Sequence, residues 1–390
     1  MGELVPFEVL VAPDHLSGAG GRNRGHGVAQ IAARDDRQAV LSWLARYAQS
    51  PATLANYRKE AERLLLWCVF QRQKALSDLA HEDLLGYERF LADPQPAERW
   101  IMATAQKAAR SSAAWRPFAT ALGPASRRQA MSILNSLFNW LVAAGYLAGN
   151  PMALGRRKAT SSKPRVTRFL PREHWTEVRE TIEQLPTSTA REVKHAARSR
   201  WLFSMLYIAG LRVSEICVNT MGSFLLDRDI NGKERWWLKV TGKGGKERMV
   251  PATEELVAEL IRYRSANALK PALPQRGDNT TLLLPVIGPV QPMARSAVHE
   301  LVKDVVRRTA QRLRAKGPEF ETAARNIEQA SAHWMRHTAG THQSDRMDIK
   351  AVRDNLGHAN VSTTSIYLHT EDNARHDATS AAHRLGWQAP

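Results

Sequence analysis

The sequence predicts a mainly α-helical chain with a small β-sheet, an α+β protein built as two domains. Three observations predict it. Apolar residues recur at helical spacing from Asp36 to Tyr146. Short strand-like runs cluster between Phe224 and Val250, with helical runs on both sides. Between these regions lies a basic stretch with no periodicity, the kind of composition shift that marks a domain boundary.

Residues 1–35 carry Gly18-Ala19-Gly20-Gly21-Arg22-Asn23-Arg24-Gly25-His26-Gly27. A dinucleotide fingerprint would need a third glycine where Asn23 stands, with a helix after it. The segment reads instead as a flexible basic arm, either touching phosphates or forming an inert tail.

Residues 36–152 read as a helical domain. Pro51 suits the first turn of a helix, and Leu54, Tyr57, Ala61, Leu64, Leu65 and Cys68 follow on one face. Leu84, Tyr87, Phe90 and Leu91 mark a second helix. Ile133, Leu134, Leu137, Phe138 and Leu141 mark a third, ended by Gly145. Pro94 to Arg128, with Trp100, Trp115 and Pro117, reads as a long connection plus a short helix, and Asn150-Pro151 breaks the chain.

Residues 153–170 form a basic linker containing Arg156, Arg157, Lys158, Lys163 and Arg165. Residues 171–390 form the second domain. Arg200 to Ala209 reads as an apolar helix ending at Gly210. Phe224–Asp227, Arg235–Thr241 and Arg248–Val250 read as strands, with a tight glycine turn over Gly242–Gly245. Helices resume at Glu254, Arg295 and His333, then over Asp348–Asn355 and Val361–Leu368.

Composition narrows the function classes. Of 390 residues, 55 are Lys or Arg and 38 Asp or Glu, a formal net charge of +17. A globular chain this basic expects a polyanion as partner. No apolar run approaches the roughly 18 residues of a membrane span. Met1–Gln30 lacks the apolar core and cleavage site of a signal peptide. The two cysteines, Cys68 and Cys217, both fall in apolar helical patterns and read as buried free thiols. A reducing, cytoplasmic setting is expected.

The chemistry-bearing phrases lie in the second domain. Arg212 sits in Ala209-Gly210-Leu211-Arg212-Val213-Ser214-Glu215, and Lys243 in Thr241-Gly242-Lys243-Gly244-Gly245-Lys246-Glu247-Arg248. His333 and Arg336 share His333-Trp334-Met335-Arg336-His337. His358 follows Leu356-Gly357, and Tyr367 lies in Ser365-Ile366-Tyr367-Leu368-His369. Two arginines, a lysine and two histidines supply positive charge and proton donors, and the tyrosine supplies a hydroxyl. That set suffices to break a DNA backbone through a covalent phosphotyrosine without a metal.

These phrases, in this order, resemble the tyrosine recombinase (phage integrase) family, over roughly residues 36–385. The resemblance implies a helical core-DNA-binding domain and a mixed catalytic domain closing as a C-shaped clamp on duplex DNA. It implies that Arg212, Lys243, His333, Arg336, His358 and Tyr367 are catalytic. Trp334-Met335 departs from the usual variable-Leu pair, but both residues are apolar and should face a core.

The roles follow from side-chain chemistry. Arg212 and Arg336 would clamp the phosphate, since a planar guanidinium binds two oxygens and stays charged. Tyr367 would be the nucleophile, its phenol helped by the cationic pocket. Tyr207 and Tyr57 fall on apolar stripes and are poorer candidates. Lys243, on a hairpin tip, would protonate the leaving 5′ oxygen, with Lys246 the competing lysine and a possible backbone contact. His333 and His358 would handle protons and donate to phosphate.

His333 and His337 are four apart, but a zinc-protease helix needs Glu where Trp334 stands, so no metal or other cofactor is expected. His337 reads as a core or capping residue and His369 as a supporting one. Glu215 reads either as an orienter of a cationic partner or as a plain helix salt bridge. The linker charges read as phosphate contacts, because a linker joining two lobes on DNA must pass the duplex. A solvated hinge is the alternative.

The expected activity is site-specific recombination through a 3′-phosphotyrosyl link, by a tetramer on two DNA sites docked through the tail Thr370–Trp387. Rivals are a type IB topoisomerase-like strand transferase, a DNA-binding regulator with a dead site, and a metal nuclease. His333, the compact length and the helical N-terminal domain disfavour the first. The complete set of catalytic residue types disfavours the second, and the missing carboxylates the third.

Overall fold

The computed structural model describes residues 4–103, 108–155, 168–228, 234–345 and 347–357, with Lys243 described only in its backbone. The chain divides into two compact units, Met1–Ala159 and Thr160–Pro390.

In the first unit, α1 (Asp36–Ala45) starts where the Asp35 carboxylate accepts the Gln38 amide at 2.7 Å, an N-cap. Helix α2 (Pro51–Trp67) opens on its proline, runs into a π-turn over Cys68–Arg72 and stops at left-handed Gln73. Helix α3 (His81–Ala92), the single turn α4 (Ala97–Trp100) and α5 (Pro124–Ala143) complete it. The apolar stripes read from the sequence do face inward: Leu64, Tyr87, Leu91, Leu134, Leu137, Phe138 and Leu141 are buried. They pack with Trp43, Trp100 and Phe118 into one core.

Residues 4–35 differ from the flexible arm expected of them. Leu4, Phe7 and Leu10 are buried in this core. The Phe7 amide donates to Glu62 at 2.7 Å, and the Arg24 guanidinium lies 3.8 Å over the Tyr146 ring. Asn23 exchanges two side-chain hydrogen bonds with the Gly149 backbone, at 2.8 and 3.0 Å. The glycines that suggested flexibility permit close approach instead. A Cβ at Gly21 would collide with the Ser77 side chain, and one at Gly25 with the Gly145 carbonyl.

The second unit opens with α6 (Arg172–Glu183), α7 (Ala190–Tyr207) and the short α8 (Val213–Val218). Strands β1 (Phe224–Arg228), β2 (Glu234–Thr241) and β3 (Glu247–Ala252) form an antiparallel sheet in that order. Leu238 stands opposite Phe224 and Val250, and all three are buried on the core side. Helices α9 (Glu254–Ala266), α10 (Arg295–Lys316), α11 (Glu321–Glu328), α12 (Ala332–Ser344) and α13 (Ile349–Leu356) follow.

Helix α7 is the central one, burying Trp201, Leu202, Phe203, Met205 and Leu206 against α6, α9, α10 and α12. It begins ten residues before the expected Arg200. Thr189 and Glu192 form a reciprocal capping box ahead of a charged first half that hides the apolar period. Helices α6 and α11 were not expected; both are largely polar with few buried positions. Cys68 is buried, Cys217 half-buried, and both are free thiols. Among the described residues, no helix is long and apolar enough to cross a membrane.

Candidate active site

The site grows from the turn between α7 and α8. Gly210 takes a left-handed conformation, φ 58°. A Cβ there would lie 2.6 Å from Leu356 Cδ2, so glycine is demanded both by conformation and by space. The turn sets Arg212 as the N-cap residue of α8. Glu215, three residues on, accepts the Arg212 backbone amide at 2.8 Å and the Arg212 guanidinium at 2.8 Å. The Arg212 side chain keeps 37% of its surface exposed, so its charge is fixed yet open to a ligand.

Glu215 itself is 1% exposed. Arg248, on β3, grips it from the other side through two bonds of 2.8 and 2.9 Å. Burial by itself raises this carboxyl. The hydrogen bonds and charges of Arg248 and Arg212 outweigh that and hold it at about 2. Glu215 is thus bonded to two arginines, Arg212 on its own helix and Arg248 across on β3.

Asn219, at the end of α8, ties in the sheet. Its amide donates to the Thr241 carbonyl at 3.2 Å and accepts the Thr241 amide at 3.0 Å. This brings the β2–β3 turn to the carboxylate: a Cβ on Gly242 would lie 3.2 Å from Glu215 Oε1. The turn is a 3-10 turn over Lys243–Gly245, with Gly244 and Gly245 left-handed. Lys243 thus starts at the site, while its side chain lies outside the described residues. Lys246 is exposed, and its carbonyl accepts the Gly242 amide at 2.8 Å.

Helix α12 contributes the remaining described groups. Met335 is buried and Trp334 packs against the core, as their apolar character requires. That leaves Arg336 directed at the α7–α8 turn. It is 3% exposed and donates to the Gly210 and Leu356 carbonyls. His333 lies one turn earlier. It is exposed at the surface, yet partial desolvation lowers its pKa first, and the charges of Arg336, Arg212 and Arg168 add to the effect.

His337 is not a core or capping residue as expected. Its Nε2 lies 2.9 Å from Nε2 of His333, with the rings edge-on and 4.2 Å apart. Burial, then His333 and Arg336, push its pKa down to about 4. At this separation one Nε2 donates its N–H and the other accepts.

Arg212, Glu215, the Lys243 turn, His333 and Arg336 are therefore brought together. The described chain ends against them at left-handed Gly357, where a Cβ would lie 2.6 Å from Arg248 Cδ. His358, Tyr367, His369, the tail, and Arg156, Arg157, Lys158, Lys163 and Arg165 lie outside the described residues. Tyr207, set aside as nucleophile, is occupied: it stacks on Trp175 at 4.1 Å and pairs with His342 Nδ1 at 3.0 Å. The aromatic cavity of this unit lined by Trp175, Phe203 and Tyr207 includes none of the site groups.

Sequence reasoning gave no role to Arg248 and misread His337. The only signal for Arg248 was its place in the Lys243 phrase. For His337 it was the four-residue spacing from His333, weighed only as a metal pair.

Arg212 keeps an exposed guanidinium near His333, a donor set suited to a phosphate oxygen, while the Arg336 guanidinium is bonded to the Gly210 and Leu356 carbonyls. Comparison with known proteins agrees. The phage integrase family model matches residues 178–374. The tyrosine recombinase XerC of Xylella fastidiosa (strain 9a5c) is 26% identical over 338 residues, 86% of this chain and 91% of that protein. A tyrosine recombinase of Thermosipho africanus (strain TCF52B) is 30% identical over 250 residues, 64% of this chain and 72% of that protein.

Two solved structures share the fold. The XerH site-specific recombinase in a pre-cleavage complex with its difH substrate has a TM-score of 0.56 at 17% identity, covering 96% of this chain and 99% of that one. The Tn1549 transposon integrase in complex with transposon right-end DNA has a TM-score of 0.56 at 16% identity, covering 89% and 99%. With Arg212, Arg336, the imidazole pair and the glycine turn already on one site, these matches place the chain in the phage integrase family: it is a tyrosine recombinase, a site-specific DNA recombinase.

Proposed function

We propose that Tyr367 attacks a scissile phosphate in duplex DNA, forming a 3′-phosphotyrosyl bond as the bond to the 5′ oxygen breaks. Lys243 gives that oxygen its proton. The 5′ hydroxyl of a partner duplex then attacks the phosphotyrosine and releases Tyr367. The covalent link conserves bond energy, so no ATP is consumed, and the cationic side chains do the work a metal would do. Arg212 and Arg336 clamp the non-bridging oxygens, His333 and His358 donate to them, and His369 supports Tyr367.

The observation that carries this reading is the convergence of Arg212, Arg336 and His333 about the Gly210 turn. The helical unit over 36–152 binds the duplex with the catalytic unit over 171–390, and linker residues 153–170 contact its phosphates. Two related folds, those of XerH and the Tn1549 integrase, were solved on DNA, which supports duplex DNA as partner and a mobile-element setting. Four protomers act on two sites, joined through the tail Thr370–Trp387, in the cytoplasm at the nucleoid.

Covalent trapping on nicked DNA in EDTA tests the proposal. The wild type should give an SDS-stable protein–DNA band and Tyr367→Phe none, with DNA binding intact. A band from the variant moves the nucleophile elsewhere, and one abolished by EDTA implicates a metal. Adducts without exchange between two duplexes favour a topoisomerase.

A further inference from the structure

We propose that Arg248 is a positioning residue for strand transfer: its single guanidinium fixes Arg212, through Glu215, and the end of α13, from which the chain runs on to His358 and Tyr367. The inference rests on the roles proposed above and adds the part that keeps their two halves in register.

Three bonds define the geometry. Arg248 Nη1 and Nη2 donate to the two oxygens of Glu215 at 2.8 and 2.9 Å, a bidentate fork. Its Nε donates to the Asn355 carbonyl at 3.0 Å. Asn355 lies in the last turn of α13, where carbonyls have no intrahelical partner and a cation is favourable. The next carbonyl, that of Leu356, is taken by Arg336. Two site arginines therefore hold consecutive carbonyls of one helix end.

Gly357 closes the joint. It is left-handed at φ 62°, and a Cβ there would lie 2.6 Å from Arg248 Cδ and 3.0 Å from Nε. The backbone of Gly357 thus rests directly on the Arg248 side chain, and His358 is the next residue. The Arg248 side chain is only 12% exposed, so it acts from beneath the site rather than as a phosphate ligand. Lysine cannot replace it, because a point ammonium cannot present a fork to Glu215 while a third N–H reaches Asn355.

Arg248→Lys is the test, with Arg248→Ala beside it. At saturating DNA, the lysine variant should keep its DNA affinity and thermal midpoint close to wild type. Its single-turnover adduct formation should fall about 10²-fold, the scale of a small misplacement of reacting groups. In an Arg212→Ala background the same change should cost clearly less, since part of its effect passes through Arg212. Hydrogen exchange should show faster exchange of the α13 amides in Arg248→Lys, a readout independent of activity. This decides the linkage even if the wild type forms no adduct, a result that would overturn only the recombination chemistry. Unchanged adduct formation and α13 exchange would overturn the inference. So would affinity, midpoint and rate falling together in both variants, which would make Arg248 a plain stabiliser.

Discussion

Arg336 donates to the carbonyl of Gly210, so the guanidinium on α12 is tied to the backbone of the turn that leads into Arg212. The same guanidinium holds the Leu356 carbonyl, and Leu356 packs against Gly210 where a side chain would otherwise stand. Three segments distant in sequence are thus closed on one another through a single glycine.

Gly210→Ala should be disproportionately harmful. The left-handed conformation alone costs about 1–2 kcal/mol for a non-glycine residue, and the added methyl meets Leu356. Denaturant unfolding should show a loss of at least this size, with adduct formation down 10-fold or more as Arg336 loses its carbonyl. A variant with wild-type stability and cleavage would show that the turn can relax and does not aim Arg336.

Glu215→Gln should cost about 3–5 kcal/mol, the range for breaking a buried pair by removing one partner. Two arginines lose their shared anion. With its folded pKa held at about 2 against an ordinary 4.5, the carboxylate stabilises the fold fully above pH 4.5 and loses that contribution as pH falls toward 2. Acid unfolding of the wild type should be steep in this window and shallower in the variant. Equal slopes would place the stabilising charge elsewhere.

Much of this architecture was legible beforehand, and the parts that were not share a cause. Helices α2, α3 and α5 were readable because one face is apolar at regular spacing. Strands β1 to β3 were readable because short apolar runs are bounded by turns. The arm was misread because glycine signals both flexibility and close approach, and only the neighbour, Ser77 or Gly145, distinguishes them. Arg212, Lys243, His333 and Arg336 were visible as phrases with recognisable order. Arg248 and His337 were not, since each acts through a partner: the first across 33 and 107 residues, the second across one helical turn.

The two units should respond to pH in opposite directions. Burial raises the Asp36 carboxyl to about 6, against hydrogen bonds from Ser77 and Tyr146 that favour its charged form. A raised carboxyl adds stability below its unfolded value of 3.8 and loses it as pH rises through 6. His337 is the reverse. Its folded value of about 4 lies below the ordinary 6.5, so the unfolded chain takes up the proton first and stability falls as pH drops from 6.5 toward 4. Hydrogen exchange from pH 7 to pH 5 should show α1 and α5 gaining protection relative to α12. Asp36→Asn should abolish the first trend and His337→Gln should reduce the second, His333 and His342 of α12 being lowered as well. The same direction of change in both units would contradict the assignment.

The lysine assignment can be separated by leaving-group chemistry. The β2–β3 turn places the Lys243 backbone beside Glu215, through Gly242, whereas Lys246 lies beyond the turn and is exposed. A general acid matters only if the leaving oxygen needs a proton. A 5′-bridging phosphorothiolate replaces that oxygen with sulfur, which departs without one. Lys243→Ala should therefore cleave ordinary DNA slowly, by a factor on the order of 10² to 10⁴, yet recover most of its rate on the sulfur substrate. Lys246→Ala should lose little on either substrate. If the sulfur substrate instead rescues Lys246→Ala, the acid is Lys246. If it rescues neither, the turn positions the strand and the leaving oxygen takes its proton from another group.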